Sequence, residues 1–195
     1  YIPKNSSIIH LAAISKNNDC NQNLSLCLDV NLRGTLNLID AAKKKSAKNF
    51  IFASSEWVYG DMRENLLNEK SNILLDSNYS LYALSKLIIE KFLINSKIFK
   101  NCNILRFGII YGGLKKKNWS IVEKLFHNIK NKKIITIGSK KTARRYIHID
   151  DLIGGILLSV KSKGNNIYNL TGNKLINIEE IIKKSEKCLN KKIKV

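Results

Sequence analysis

The chain has 195 residues, 44% hydrophobic and 25% charged, ordinary values for a globular protein and enough for one sizeable domain or parts of two. Its net charge of +19 is nearly all lysine, spread along the chain beside abundant Asn and Ile, the residues an AT-rich genome encodes by default. Arginine, the better planar reader of phosphates, is scarce, so composition argues against a nucleic-acid partner, and no apolar run reaches the length of a transmembrane helix.

In chain order, the apolar run "SSIIHLAAI" (6–14) predicts a buried strand. "LSLCLDVNLRGTLNLIDAAKKK" (24–45) carries Leu28, Leu32, Leu36 and Ile39 at helical spacing and ends in lysines that suit a helix C-terminus. Gly34 within it reads as a point of close helix–sheet approach. "NFIFAS" (49–54) predicts a strand, "YALSKLIIEKFLINSKIF" (82–99) a helix and "CNILRFGII" (102–110) another strand. Lysines 115–117 read as a solvated loop. Ser120 and Glu123 have capping-box spacing ahead of a helix, as do Asn177 and Glu180. Short strands are expected near 134–137, 145–149 and 166–170. A helix follows near Asp150, capped by Asp150 and Asp151, and His148 is expected to pack within its strand.

Strands alternating with helices of this length indicate right-handed crossovers and an α/β doubly wound parallel sheet with helices on both faces. Shorter, more mixed elements follow, so residues 1–112 read as the unit that carries the main sheet. Residues 113–195 read mostly as a smaller C-terminal lobe, with some elements returning to the main sheet. Cys20, Cys27, Cys102 and Cys188 show no metal spacing and are expected as reduced thiols, consistent with a cytoplasmic location. No metal site emerges.

Ligands of such sheets bind beyond the carboxyl ends of the strands. There lie "HLAA" (10–13), "SSEWVYG" (54–60) and the helix bearing Tyr82 and Lys86, which are four apart and share a face; Tyr79 lies two turns from Lys86. A phenol is a poor base near neutrality unless cations favour its phenolate. Tuned so, Tyr82 takes a hydroxyl proton while a Ser at a strand end holds that hydroxyl. Trp57 and Trp119 read equally as packing residues or pocket walls.

In order, "IIHLAA", "NLRGTLNLIDAAKK", "FIFASSEWVYG", "YALSK", "ILRFGIIYG", "RRYIHIDDL" and "YNLTG" resemble the extended short-chain dehydrogenase/reductase family, in particular its nucleotide-sugar epimerase and dehydratase branch. The resemblance implies that residues 1–112 are a partial dinucleotide-binding domain with a Rossmann-like sheet, that residues 113–195 are mostly a substrate-binding lobe, and that Ser55, Tyr82 and Lys86 form a catalytic set. It implies cofactor contacts from Leu11, Ala12, Ala13, Ile14, Ser15, Asn31, Phe107 and Gly108 beside that set. Arg144 falls where the family often contacts substrate phosphates, with Arg145 adjacent, and Ser55 and Tyr82 would also touch substrate. The implied cofactor is NAD, with NADP as the alternative, and the implied partner a nucleotide sugar bound by a homodimer.

Three departures shape the expectation. The family's opening strand and G-x-x-G-x-x-G turn are not in these residues, so a fragment is expected that alone holds a dinucleotide weakly. Dehydratases follow the catalytic hydroxyl with two carboxyl residues, whereas Glu56 and Trp57 stand here, and Trp accepts no proton. Ile109 replaces a frequent substrate-contacting Asn. An epimerase acting through a transient keto-sugar is therefore expected, with an NADPH-dependent ketone reductase or a dehydratase as alternatives. A non-catalytic dinucleotide- or RNA-binding protein is the alternative of another class.

Overall fold

The computed structural model describes residues 1–60, 67–73, 79–113 and 120–195. The loop expected at 115–117 and Trp119 lie outside them. Among these residues the chain divides into two compact units, the first comprising Tyr1–Phe107 and Gly155–Asn169, the second Gly108–Gly154 and Leu170–Val195.

The first unit is built on a four-stranded sheet in the order β1 (Ser7–His10), β2 (Asn49–Ser55), β3 (Asn101–Phe107), β6 (Asn165–Leu170). β1, β2 and β3 run parallel, with His10 opposite Phe52, Ser54 opposite Arg106 and Ser55 opposite Phe107. Both faces of β2 and β3 are buried, which explains why these strands read as unbroken apolar runs rather than alternating ones. One face packs Phe50, Phe52, Ile89, Leu93, Phe99 and Ile104 into a single cluster, with Phe50 and Phe99 stacked at 4.7 Å.

The helix expected at 24–45 is instead three segments: α2 (Leu24–Leu28), a π-helical turn (Asp29–Gly34) and α3 (Thr35–Lys44). A wide turn of this kind re-aims side chains relative to a continuous α-helix. Its inward face is Cys27, Asn31, Thr35 and Ile39, whereas Leu28 and Leu36 of the expected apolar stripe are exposed. Gly34 makes no close approach to the sheet, since a Cβ there would meet only the Asp29 carbonyl at 3.4 Å. A further short helix, α1 (Asn17–Gln22), escaped the sequence reading. Helix α4 (Leu81–Ser96) starts at Ser80, whose side chain accepts from the Ala83 amide.

In the second unit β4 (Ile109–Tyr111) pairs parallel with β5 (Ala143–His148), and β5 pairs antiparallel with β7 (Leu175–Asn177). Both expected capping boxes form, at the starts of α5 (Ile121–Asn131) and α7 (Ile178–Leu189). Ile134 contributes one bridge to Lys194 rather than a strand. Asp150 and Asp151 sit in the first turn of α6 (Ile149–Lys161), where acidic groups suit the helix dipole. His148 is half-exposed, and its Nδ1 accepts from the Asp150 amide at 3.3 Å. No helix among the described residues is long and apolar enough to cross a membrane.

His10 ends β1 with its Nε2 2.8 Å from the Thr35 hydroxyl, which itself donates to the Asn31 carbonyl. Burial, helped by the charge of Lys86, lowers its pKa from 6.5 to about 4. As pH falls from about 6.5 to about 4, the unfolded chain takes up a proton that folded His10 refuses, so stability is lost over that window. Denaturant midpoints measured from pH 7 to 4 are expected to fall less steeply in His10→Asn than in the native protein. Phe50→Ala, by opening a cavity in the main cluster, is expected to cost about 3–5 kcal/mol by the same measurement.

Candidate active site

Ser55 is the last residue of β2, and the 3-10 turn Glu56–Tyr59 begins directly after it. Its hydroxyl accepts from the Trp57 amide at 3.3 Å, which fixes its direction at the strand end. The Tyr82 phenol, in the first turn of α4 and 9% exposed, lies close enough to the Ser55 hydroxyl for that group to act on its titration. Burial raises the Tyr82 pKa above 10, and the Ser55 hydroxyl opposes that rise.

Lys86 lies one turn further along α4 and is 4% exposed. Its ammonium donates to the Ala53 carbonyl at 2.8 Å and lies 4.8 Å from the Phe52 ring centre and 5.9 Å from that of Tyr82. Burial lowers its pKa from 10.5 to about 8, and the Glu90 carboxylate one turn on works against that fall. Tyr79 turns elsewhere, its hydroxyl donating to the Val58 carbonyl at 3.3 Å. Of the two tyrosines in the stretch, Tyr82 is the one beside Ser55 and Lys86.

Asn31 joins this helix to the segment after β1. From the inside of the π-turn its Oδ1 accepts from the Ile14 amide at 2.9 Å, while its Nδ2 donates to the Ile14 carbonyl at 3.0 Å and the Ser85 hydroxyl at 3.1 Å. Ser85 in turn donates to the Tyr82 carbonyl at 2.7 Å. Residues 11–15 are thereby held at Ile14, with Leu11, Ala12 and Ser15 exposed and Ala13 and Ile14 half-buried. Beyond them Ser15, Lys16, Asn17, Asn18, Asp19 and Trp57 line an open pocket of about 520 Å³, so Trp57 is a pocket wall.

Cys20 and Cys27 are joined in a disulfide, with Cα atoms 5.0 Å apart. This corrects the expectation of four reduced thiols. Asn23 caps α2 and turns the chain between the two short helices, so both sulfurs meet, fully buried, against Tyr82. Cys102 and Cys188 are free, and burial pushes the Cys102 thiol up to about 12.

Of the other expected residues, Phe107 ends β3 opposite Ser55. Gly108 opens the second unit, where a Cβ would collide with the Thr171 side chain and come within 3.2 Å of the Arg145 carbonyl. Arg144 is exposed on β5 and donates to the Ala143 carbonyl at 2.8 Å; Arg145 donates to that of Gly172 at 3.2 Å.

Sequence reasoning missed a buried polar set beside Lys86. Glu90 accepts from Ser54 and, at 2.7–3.2 Å, from Arg106. The available signal was one acid in the helical run "LIIEKF" and one base in the strand "NILRF".

The chain matches the NAD dependent epimerase/dehydratase family over residues 4–171. UDP-glucuronate 4-epimerase of Thermodesulfobacterium geofontis is 29% identical over 192 residues, covering 97% of this chain and 58% of that protein. dTDP-D-glucose 4,6-dehydratase of Dictyostelium discoideum is 33% identical over 179 residues, covering 84% and 40%. The chain thus spans 58% and 40% of the lengths of these two relatives. In fold it is similar to UDP-N-acetylglucosamine 4-epimerase from Methanobrevibacter ruminantium M1, solved in complex with UDP-N-acetylmuramic acid, with a TM-score of 0.86 at 24% identity over 97% of this chain and 62% of that one. A parallel α/β sheet with Ser, Tyr and Lys gathered at one strand end, together with a match over most of its length, establishes that the chain belongs to the NAD-dependent epimerase/dehydratase family.

Proposed function

We propose that the full-length protein is an NAD-dependent nucleotide-sugar epimerase in which Tyr82 accepts and returns the proton of a sugar hydroxyl. The observation that carries this reading is the burial of Tyr82 beside Ser55 at the carboxyl end of β2, with the Lys86 ammonium 5.9 Å from the Tyr82 ring centre. A bound nicotinamide would supply a hydride acceptor that gives the hydride back to the opposite face of the sugar carbon.

The residues fit such a cofactor. Lys86 has three N–H donors, one of which goes to Ala53, leaving two for ribose hydroxyls. Leu11 to Ser15 extend from β1 with small Ala12 and Ala13, which let a flat ligand approach the backbone. Asn31 holds that segment in place, and Phe107 and Gly108 are proposed beside the nicotinamide. Ser55 orients the reacting oxygen. The Lys86 cation reduces the cost of forming phenolate at Tyr82, a cost that burial otherwise raises. Arg144 is the proposed contact for the nucleotide-sugar phosphates.

Epimerisation is favoured over elimination of water because Trp57 occupies the second carboxyl position and lines a pocket instead. One-way reduction with NADPH uses the same three residues and differs in the net change to the sugar. A homodimer belongs to the proposal as well. Leu84, Ile88 and Phe92 form an exposed apolar stripe on α4, with Leu24, Leu28 and Leu36 exposed on the neighbouring segments. A cytoplasmic location is kept in the proposal, with the free thiols of Cys102 and Cys188 in its favour and the Cys20–Cys27 disulfide against it.

In the full-length protein, Tyr82→Phe is expected to lower turnover by about 10²–10⁴ while NAD affinity, read by calorimetry, stays close to native. Near-native turnover in this variant would sink the assignment of the base. Incubated with candidate nucleotide sugars, the enzyme is expected to give a product of unchanged mass, followed by mass spectrometry. A mass lower by one water would make it a dehydratase, and a two-hydrogen gain that consumes NADPH a reductase.

A further inference from the structure

We propose that Glu90 is a positioning residue that sets the charge state of Lys86, and that Arg106 restrains how strongly it does so; the catalytic consequence rests on the epimerase reading above. Glu90 has no solvent exposure. Its carboxylate accepts from the Ser54 hydroxyl on β2, from Arg106 Nε on β3 at 3.1 and 3.2 Å to its two oxygens, and from Arg106 Nη2 at 2.7 Å. Ser54 and Arg106 are register partners, Ser54 precedes Ser55, and Glu90 follows Lys86 by one helical turn. One carboxylate therefore ties α4 to both strands directly behind the proposed catalytic residues.

Stability alone does not explain such a set. A buried ion pair replaced by apolar residues of similar volume is often neutral or stabilising, and this pair is not fully hydrogen-bonded, since Arg106 Nη1 is buried without a hydrogen-bond partner and the guanidinium lies 4.7 Å from the Tyr59 ring centre. What an apolar set lacks is a negative charge beside Lys86. Among the described residues, the ionisable groups around that ammonium are Tyr82 and Glu90 on its own helix, His10 on β1 and, through Glu90, Arg106 on β3; Phe52 of β2 adds its ring face. Glu90 is the acid among them. Burial drives Lys86 towards its neutral form near physiological pH, and Glu90 holds the proton on. Arg106 competes for the same carboxylate. Removing Glu90 and removing Arg106 should therefore move Lys86 in opposite directions.

The test is a pH titration of Lys86 by NMR in the full-length protein carrying lysine labelled at Cε, without substrate, the signal being assigned by its loss in Lys86→Arg. The native midpoint is expected at about 8. In Glu90→Gln it should fall by about one unit or more, a tenfold loss of proton affinity per unit, and in Arg106→Gln it should rise. If the pair only braced the fold, both variants would admit water and both midpoints would rise towards 10.5. Should Glu90→Gln fail to fold, the double variant Glu90→Met with Arg106→Met leaves no orphaned charge, and its Lys86 midpoint should also lie below the native value. An unchanged or higher midpoint in the Glu90 variants overturns the proposal. If Tyr82→Phe keeps native turnover while the titrations shift as stated, the epimerase reading fails and the Glu90 assignment stands.

Discussion

A carboxylate in the middle of a parallel sheet's helix layer has to be answered by donors from the strands beneath it, because water cannot reach it. Glu90 meets this requirement through Ser54 and Arg106, and in doing so it ties α4 against the ends of β2 and β3. The first two turns of α4 carry Tyr82 and Lys86, and the last residue of β2 is Ser55. The mutual placement of phenol, ammonium and hydroxyl thus follows from a contact that touches none of them.

A second tie works from the other side. The π-turn carries Asn31 inward, where one amide group bridges Ile14 and Ser85 and so joins the segment beyond β1 to α4. His10 and Thr35 brace that turn from the strand below. The disulfide between Cys20 and Cys27 closes the same corner against Tyr82. Each tie uses buried polar or sulfur chemistry where an ordinary core would use leucine. Their common result is a phenol held against Ser55 in a setting dry enough to raise its pKa, beside a lysine whose pKa is brought near 8. Burial thus brings the lysine towards neutrality but moves the phenol away from it, so formation of a phenolate here depends on a neighbouring cation.

Much of this was legible in the residues. Unbroken apolar runs identify β2 and β3 because a parallel sheet buries both faces of its strands. The capping boxes at Ser120 and Asn177 form because their chemistry is local, contained in four consecutive residues. The four-residue spacing of Tyr82 and Lys86 settles which tyrosine meets the lysine for the same reason. The failures are non-local. Leu28 and Leu36 have helical spacing but sit exposed, because the π-turn presents Cys27, Asn31 and Thr35 to the core instead. The cysteine pair depends on the turn at Asn23, which spacing alone does not reveal. Glu90 and Arg106 are sixteen residues apart in sequence and meet only once α4 lies on β3.

The central claim is that this site moves the oxygen-bound proton of a sugar through Tyr82, while the carbon-bound hydrogen leaves and returns without meeting solvent. Turnover of the full-length enzyme in deuterium oxide, with the product analysed by NMR at its carbon-bound positions, tests this most directly. The account predicts an inverted centre with no deuterium on carbon. Deuterium at the inverted carbon would mean that a base removes the proton from carbon itself, and would contradict the role given to Tyr82.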